Sequence, residues 1–131
     1  MANDIIPVAD WSKMIQAFGK DGVPLPFVKE IFLLECQVAG TSHIDEIEEK
    51  TAGLNPGAFL GFLREPANPH DPLAIRILNQ QNAKIGYVPR QRNEVIARLM
   101  DGGKLIFGKV ESKEANGSWL KITITVYMRD F

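Results

Sequence analysis

Short apolar stretches with a period of two recur along this chain, and turn residues separate them. Residues 30–39, EIFLLECQVA, are apolar and partly alternating, with Phe32, Leu34, Cys36 and Val38 on one face and Gly40 as the break, which predicts a first strand. Asn55-Pro56-Gly57 marks a turn ahead of AFLGFLRE, a second strand that Gly61 is expected to bend. Residues 73–78 alternate with Arg76 outward, a polar turn follows at 79–82, and 84–88 complete a predicted hairpin ended by Pro89. A second hairpin is predicted from 105–110 and 119–128, the latter with the clean alternation LKITITVYM, across a loop containing Asn116-Gly117.

Other stretches carry the helical period. In residues 91–101, QRNEVIARLMD, the side chains of Val95, Ile96, Leu99 and Met100 share a face, and Gly102-Gly103 supplies a stop. Asp10 can cap a helix over 11–18, where Trp11, Met14, Ile15 and Phe18 recur before Gly19. The acidic run IDEIEEK is a candidate third helix, and the two prolines within 21–26 read as a linker. The expected organisation is an N-terminal helical extension and linker over 1–29 and one domain over 30–131. Its fold class is mainly β with two or three helices, as a small curled antiparallel sheet or barrel.

Composition narrows the function classes. With 131 residues and 45% hydrophobic positions the chain can bury one domain's core, and a net charge of −1 excludes a polycationic tail. The charge is nevertheless uneven: residues 1–50 hold nine acids and four bases, whereas 60–109 hold eight bases and four acids. Any polyanion site is therefore local and belongs to the middle of the chain. Cys36 is the only cysteine, which excludes a disulfide framework, and its apolar strand reads it as a buried small hydrophobe rather than a nucleophile. The first residues, MANDIIPVADWSK, match neither a secretory signal nor an anchor, so no membrane association and a cytoplasmic location are expected.

Catalytic constellations are scarce. His43 with Asp45 and His70 with Asp71 would hold a metal only if their loops met, a reading ranked last, and Gly102-Gly103-Lys104 lacks the spacing of a phosphate loop. No cofactor and no enzymatic activity are expected. The informative stretch is 64–75, REPANPHDPLAI, where three prolines preset a rigid loop and Asn68 and Asp71 can accept bonds from backbone amides two residues on. Such a loop, flanked by Arg64 and Arg76, suits an exposed His70 held against a ligand.

Three motifs in this order and spacing resemble the HIRAN domain family: Val38-Ala39-Gly40-Thr41-Ser42-His43, then Arg64-Glu65-Pro66 with Asn68-Pro69-His70-Asp71 and Ala74-Ile75, then Ile85-Gly86-Tyr87-Val88-Pro89-Arg90. The resemblance spans about residues 30–128. It implies an oligonucleotide-binding (OB)-like barrel that grips the 3′ end of single-stranded DNA. By that resemblance Asp71 accepts a hydrogen bond from the terminal 3′-hydroxyl, His70 takes the aromatic place beside the last nucleotide, and Asn68 holds the loop. Arg90 matches a phosphate contact with Tyr87 near it, and Trp119 matches an aromatic that stacks on a base. Ser42, His43 and Ile44 stand where DNA-gripping members carry an arginine and two tyrosines, which implies weaker or altered binding. The resulting expectation is a non-enzymatic module for single-stranded DNA in repair or replication-type processing, with Arg64, Arg90 and Arg92 lining one concavity. The alternative is an interaction module that docks a helicase or nuclease through the same groove or the N-terminal helix.

Overall fold

The computed structural model describes residues 29–117 and 119–130; the predicted helix over 11–18 lies outside them. Six strands, β1 (Lys29–Gln37), β2 (Phe59–Arg64), β3 (Ile75–Leu78), β4 (Lys84–Tyr87), β5 (Leu105–Asn116) and β6 (Trp119–Asp130), form one antiparallel sheet in the order β1-β6-β5-β2-β3-β4. Two helices accompany it, α1 (Ile47–Thr51) and α2 (Asn93–Asp101), with 3-10 turns at Thr41–His43 and Arg90–Arg92. The sheet curls into a half-barrel around its apolar face. Along β6 the alternation works as a period of two requires, with Ile122, Ile124 and Val126 fully buried and Lys121 and Thr123 half exposed. Leu60, Phe62, Ile75, Ile77 and Ile85 meet them from β2, β3 and β4, and Ile96 from α2 closes one end. Each such side chain contributes about 1.5–3 kcal/mol through burial.

Three local departures from the pattern have a structural cause. In β1 a register shift lies between Phe32 and Leu34, so Phe32 pairs with Tyr127 and Leu34 with Val126. The extra residue reverses the alternation, and Phe32 turns outward with 58% of its surface exposed instead of sharing a face with Cys36 and Val38. In α2 the inward stripe is Asn93, Ile96 and Ala97, with Leu99 and Met100 half-buried, while Val95 is 65% exposed; a buried polar residue replaces the expected valine. The last hairpin is longer than its apolar pattern, because residues 112–116 pair with 119–123 through backbone bonds that alternating polarity does not report.

Closure of the half-barrel depends on one contact. Beyond β1, Ala39 and Tyr87 exchange two backbone hydrogen bonds, N–H of Ala39 to the Tyr87 carbonyl at 2.8 Å and N–H of Tyr87 to the Ala39 carbonyl at 2.9 Å. Gly86 makes this approach available: it sits at φ 156°, and a Cβ there would lie 2.4 Å from Val38 Cγ1 and 2.5 Å from the Ala39 carbonyl oxygen. The adjoining hairpin is fixed by Asn79, buried yet satisfied, whose Oδ1 accepts the N–H groups of Gln81 and Ala83 and whose Nδ2 donates to the Lys50 carbonyl at the end of α1.

Gly86→Ala is therefore expected to destabilise the protein by about 3 kcal/mol or more, as overpacking and an unfavourable backbone angle add. Gly53→Ala, where an added Cβ meets nothing within 4 Å, is expected to stay within about 0.5 kcal/mol of wild type. Urea unfolding midpoints of the two variants check this, and equal midpoints would remove Gly86 from its place in closure.

Candidate nucleic-acid interface

Between β2 and β3 the proline-containing loop is held from three sides. Asn68 Oδ1 accepts the backbone N–H groups of His70 at 2.8 Å and Asp71 at 3.1 Å, the local bonding that the Asn-x-His-Asp spacing permits. Asn68 Nδ2 donates to Glu65 Oε1 at 2.9 Å, and the same oxygen accepts the Tyr87 hydroxyl at 2.8 Å, while Arg76 Nε donates to Glu65 Oε2. Glu65 thus ties the loop to β3 and β4. Arg64 bridges the base of the loop to the end of α2, with its guanidinium on both Asp101 oxygens at 2.9 and 3.1 Å and on the Ala74 carbonyl at 2.9 Å.

Asp71 forms the third attachment. Its Oδ1 accepts the Leu73 N–H at 2.9 Å and its Oδ2 accepts the Asn93 amide at 2.8 Å, with Arg90 Nε 3.9 Å from Oδ2. The Leu73 amide, then the Asn93 amide, then Arg90 and Arg64 hold the Asp71 carboxyl below its ordinary value of 3.8 against a smaller opposing effect of burial. Burial pushes the Glu65 carboxyl up, and the bonds from Asn68, Tyr87 and Arg76 together outweigh it, so it too lies below its ordinary 4.5. Both groups are anions at neutral pH. Each Asp71 oxygen accepts one direct bond here and retains a lone pair, so the carboxylate remains an acceptor for an incoming donor. The Asp71 side chain keeps 16% of its surface, and Arg90 beside it keeps 74%.

The sequence profile described as HIRAN domain matches residues 31–129. The chain belongs to the HIRAN domain family. Among solved structures this HIRAN domain is similar to a protein from Lactobacillus plantarum, with 26% identity, a TM-score of 0.73, and coverage of 79% of this chain and 99% of that one. The crystal structure of the HIRAN domain of human HLTF shares its fold at 20% identity and a TM-score of 0.61, covering 76% of this chain and 78% of that one. So does the HLTF HIRAN domain in its DNA-bound conformation, at 21% identity and a TM-score of 0.51, covering 76% and 79%. A curated relative from Arabidopsis thaliana, a putative SWI/SNF-related matrix-associated actin-dependent regulator of chromatin subfamily A member 3-like 1, is 26% identical over 102 residues. The matched region spans 77% of this chain and 11% of that protein.

The fold of this HIRAN domain brings some of the sequence-identified residues together and separates others. Asn68, His70 and Asp71 share the loop, with His70 exposed, and Arg90 reaches Asp71 from the 3-10 turn after β4. Tyr87 sits at the closure with its hydroxyl bound to Glu65 and Lys84 Nζ 4.5 Å from its ring centroid. Ser42 and His43 are exposed in the turn that follows Ala39, one residue past the closing bridge and Gly40, and the neighbouring Thr41 hydroxyl donates to the Leu120 carbonyl at 3.1 Å. Trp119 stands apart from the loop network, 45% exposed beside Glu46, Glu48 and Glu49.

Of the three arginines expected in one concavity, Arg64 is bound to Asp101 yet acts on Asp71 together with Arg90, whereas Arg92 donates to the Glu35 carbonyl on β1 at 3.0 Å. No group of three or more His, Cys, Asp or Glu side chains is placed to hold a metal among the described residues, so His43, Asp45, His70 and Asp71, the ligand set ranked last, do not come together as one. Cys36 is buried, and burial pushes its thiol up to about 11. Asn93 and Glu65 were missed as site residues. They are separated from their partners by 22 positions each, Asn93 from Asp71 and Glu65 from Tyr87, and no local spacing signals such a contact.

A group whose carboxyl is depressed in the fold stabilises it above the unfolded value, and that contribution is lost as pH falls through the folded value. The loop is therefore expected to lose stability as pH drops below 4.5, where Glu65 and then Asp71 begin to take up protons in the unfolded chain. Urea unfolding across that acid range, compared with Glu65→Gln, checks this: the variant should show the shallower acid limb, and parallel limbs would contradict the assignment.

Proposed function

We propose that this HIRAN domain is a non-enzymatic binding module for single-stranded DNA that recognises a free 3′ end, in the processing of DNA ends during repair or replication. The observation that carries the reading is the Asp71 carboxylate, fixed by the Leu73 and Asn93 amides and set beside the exposed Arg90. A carboxylate repels a phosphodiester, and along a DNA backbone only a terminal hydroxyl can donate a hydrogen bond to it. Arg90, 74% exposed, is free to meet the adjoining phosphate. His70 and Tyr87 offer ring surface to the last nucleotide, Asn68 holds the loop, and Ser42 and His43 supply polar contacts from the far side of the closure. The DNA-bound conformation described for the HLTF domain supports DNA as the ligand, and the choice of the 3′ end rests on the motif resemblance and on the Asp71 carboxylate.

Trp119 is left out of this contact set. The carboxylates of Glu46, Glu48 and Glu49 beside it disfavour a phosphate chain in the groove it lines. Binding is accordingly expected to be modest, since each base stacked on an aromatic ring contributes about 1–3 kcal/mol and few rings surround Asp71.

Fluorescence anisotropy with a labelled single-stranded oligonucleotide at low salt tests the reading. A free 3′-hydroxyl is expected to bind at least about tenfold tighter than a 3′-phosphate, a difference of about 1.4 kcal/mol, and Asp71→Asn should abolish the preference. Arg90→Ala should weaken both oligonucleotides alike and lower the salt slope by about one. Equal affinity for the two termini in the wild-type protein would sink end recognition.

A further inference from the structure

On the side of the half-barrel that carries α1, the start of β6 forms the wall of an open groove of about 330 Å3. Its apolar lining includes Ile44 and Ile47 from around α1 and Trp119 and Leu120 from β6. Trp119 is 45% exposed, one of the few large apolar side chains that the described fold leaves open to water. Charged residues at this lining are of one sign: Glu46, Glu48 and Glu49 are all exposed, and among the described residues no lysine or arginine contributes. Among the described residues none of the three carboxylates takes part in an ion pair.

An apolar floor selects an occupant with an apolar anchor, and an unneutralised acidic rim selects a cationic one. Single-stranded nucleic acid and an anionic lipid surface are both repelled by that rim. We propose that this groove docks a lysine- or arginine-rich peptide segment of a partner protein, with an aliphatic or aromatic side chain seated against Trp119 and its flanking cations paired with Glu46, Glu48 and Glu49. A cation over the indole face adds to the same preference. The groove lining shares no residue with the Asp71 contact set, although its Ile44 directly follows His43.

Trp119 reports on its own groove once Trp11→Phe removes the other tryptophan of the 131-residue sequence. The probe is a capped peptide of sequence Lys-Leu-Lys-Lys-Leu-Lys, with Glu-Leu-Glu-Glu-Leu-Glu as its counterpart. The lysine peptide should cause a saturable change in Trp119 emission at low salt and the glutamate peptide none. In the same background, combined Glu46→Gln, Glu48→Gln and Glu49→Gln should weaken binding by about tenfold, since exposed ion pairs each contribute only a little. Glu94→Gln with Glu111→Gln, which removes two exposed carboxylates elsewhere, should leave the affinity unchanged. Absence of a saturable change, equal weakening by the two sets of substitutions, or saturable quenching by a single-stranded oligonucleotide in place of the peptide overturns the proposal.

Discussion

Two hydrogen bonds between Ala39 and Tyr87 join the edges of the curled sheet, and the rest of the site is arranged around them. A side chain at position 86 would occupy space already filled by Val38 and the Ala39 carbonyl, so closure requires the one residue without a Cβ. The bridge aligns the Thr41–His43 turn with β4. Tyr87, fixed by it, carries its hydroxyl to Glu65, and Glu65 in turn anchors Asn68 and Arg76. A constraint on the backbone is thereby transmitted to a surface loop through a single buried-edge carboxylate.

This arrangement solves the general difficulty of a binding loop, which must be exposed to meet a ligand and ordered to hold its side chains in place. Prolines reduce the loop's freedom before folding, and the Asn68, Asp71 and Arg64 bonds remove most of what remains. The loop is thus attached to β4 through Tyr87 and to both ends of α2, through Asn93 at its start and Asp101 at its end. Ordering is supplied by the fold and not by the ligand. A ligand that meets Asp71 and Arg90 finds a charge pair already oriented, one member half-sheltered and the other extended into solvent.

The two faces divide their electrostatics in the way the charge count along the chain suggests. Arg90 and His70 come from the basic middle of the sequence, whereas Glu46, Glu48 and Glu49 come from its acidic first third. Folding keeps these groups on different elements, the turn after β4 and the loop after β2 on one hand and α1 on the other. A net charge near zero therefore conceals two local surfaces of opposite preference.

Much of this was legible in the sequence, for a stated reason. Short apolar runs, several with period-two alternation, marked all six strands, glycine and proline marked the turns, and the motifs around Gly40, Asn68 and Gly86 pointed to the family that the profile match then established. Local chemistry also predicted the Asn68 and Asp71 bonds to nearby amides, because those partners lie two or three residues away. Tertiary structure alone decided the rest. The bulge after Phe32, which turns that ring outward, is an extra residue that pairing reveals and composition does not. The separation of Arg92 from Arg64 and Arg90, the burial of Asn93 against Asp71, and the placement of Trp119 among carboxylates all depend on which elements pack together. Contacts across tens of residues are set by sheet order and helix docking, and a single sequence read along its length carries no distance between such positions.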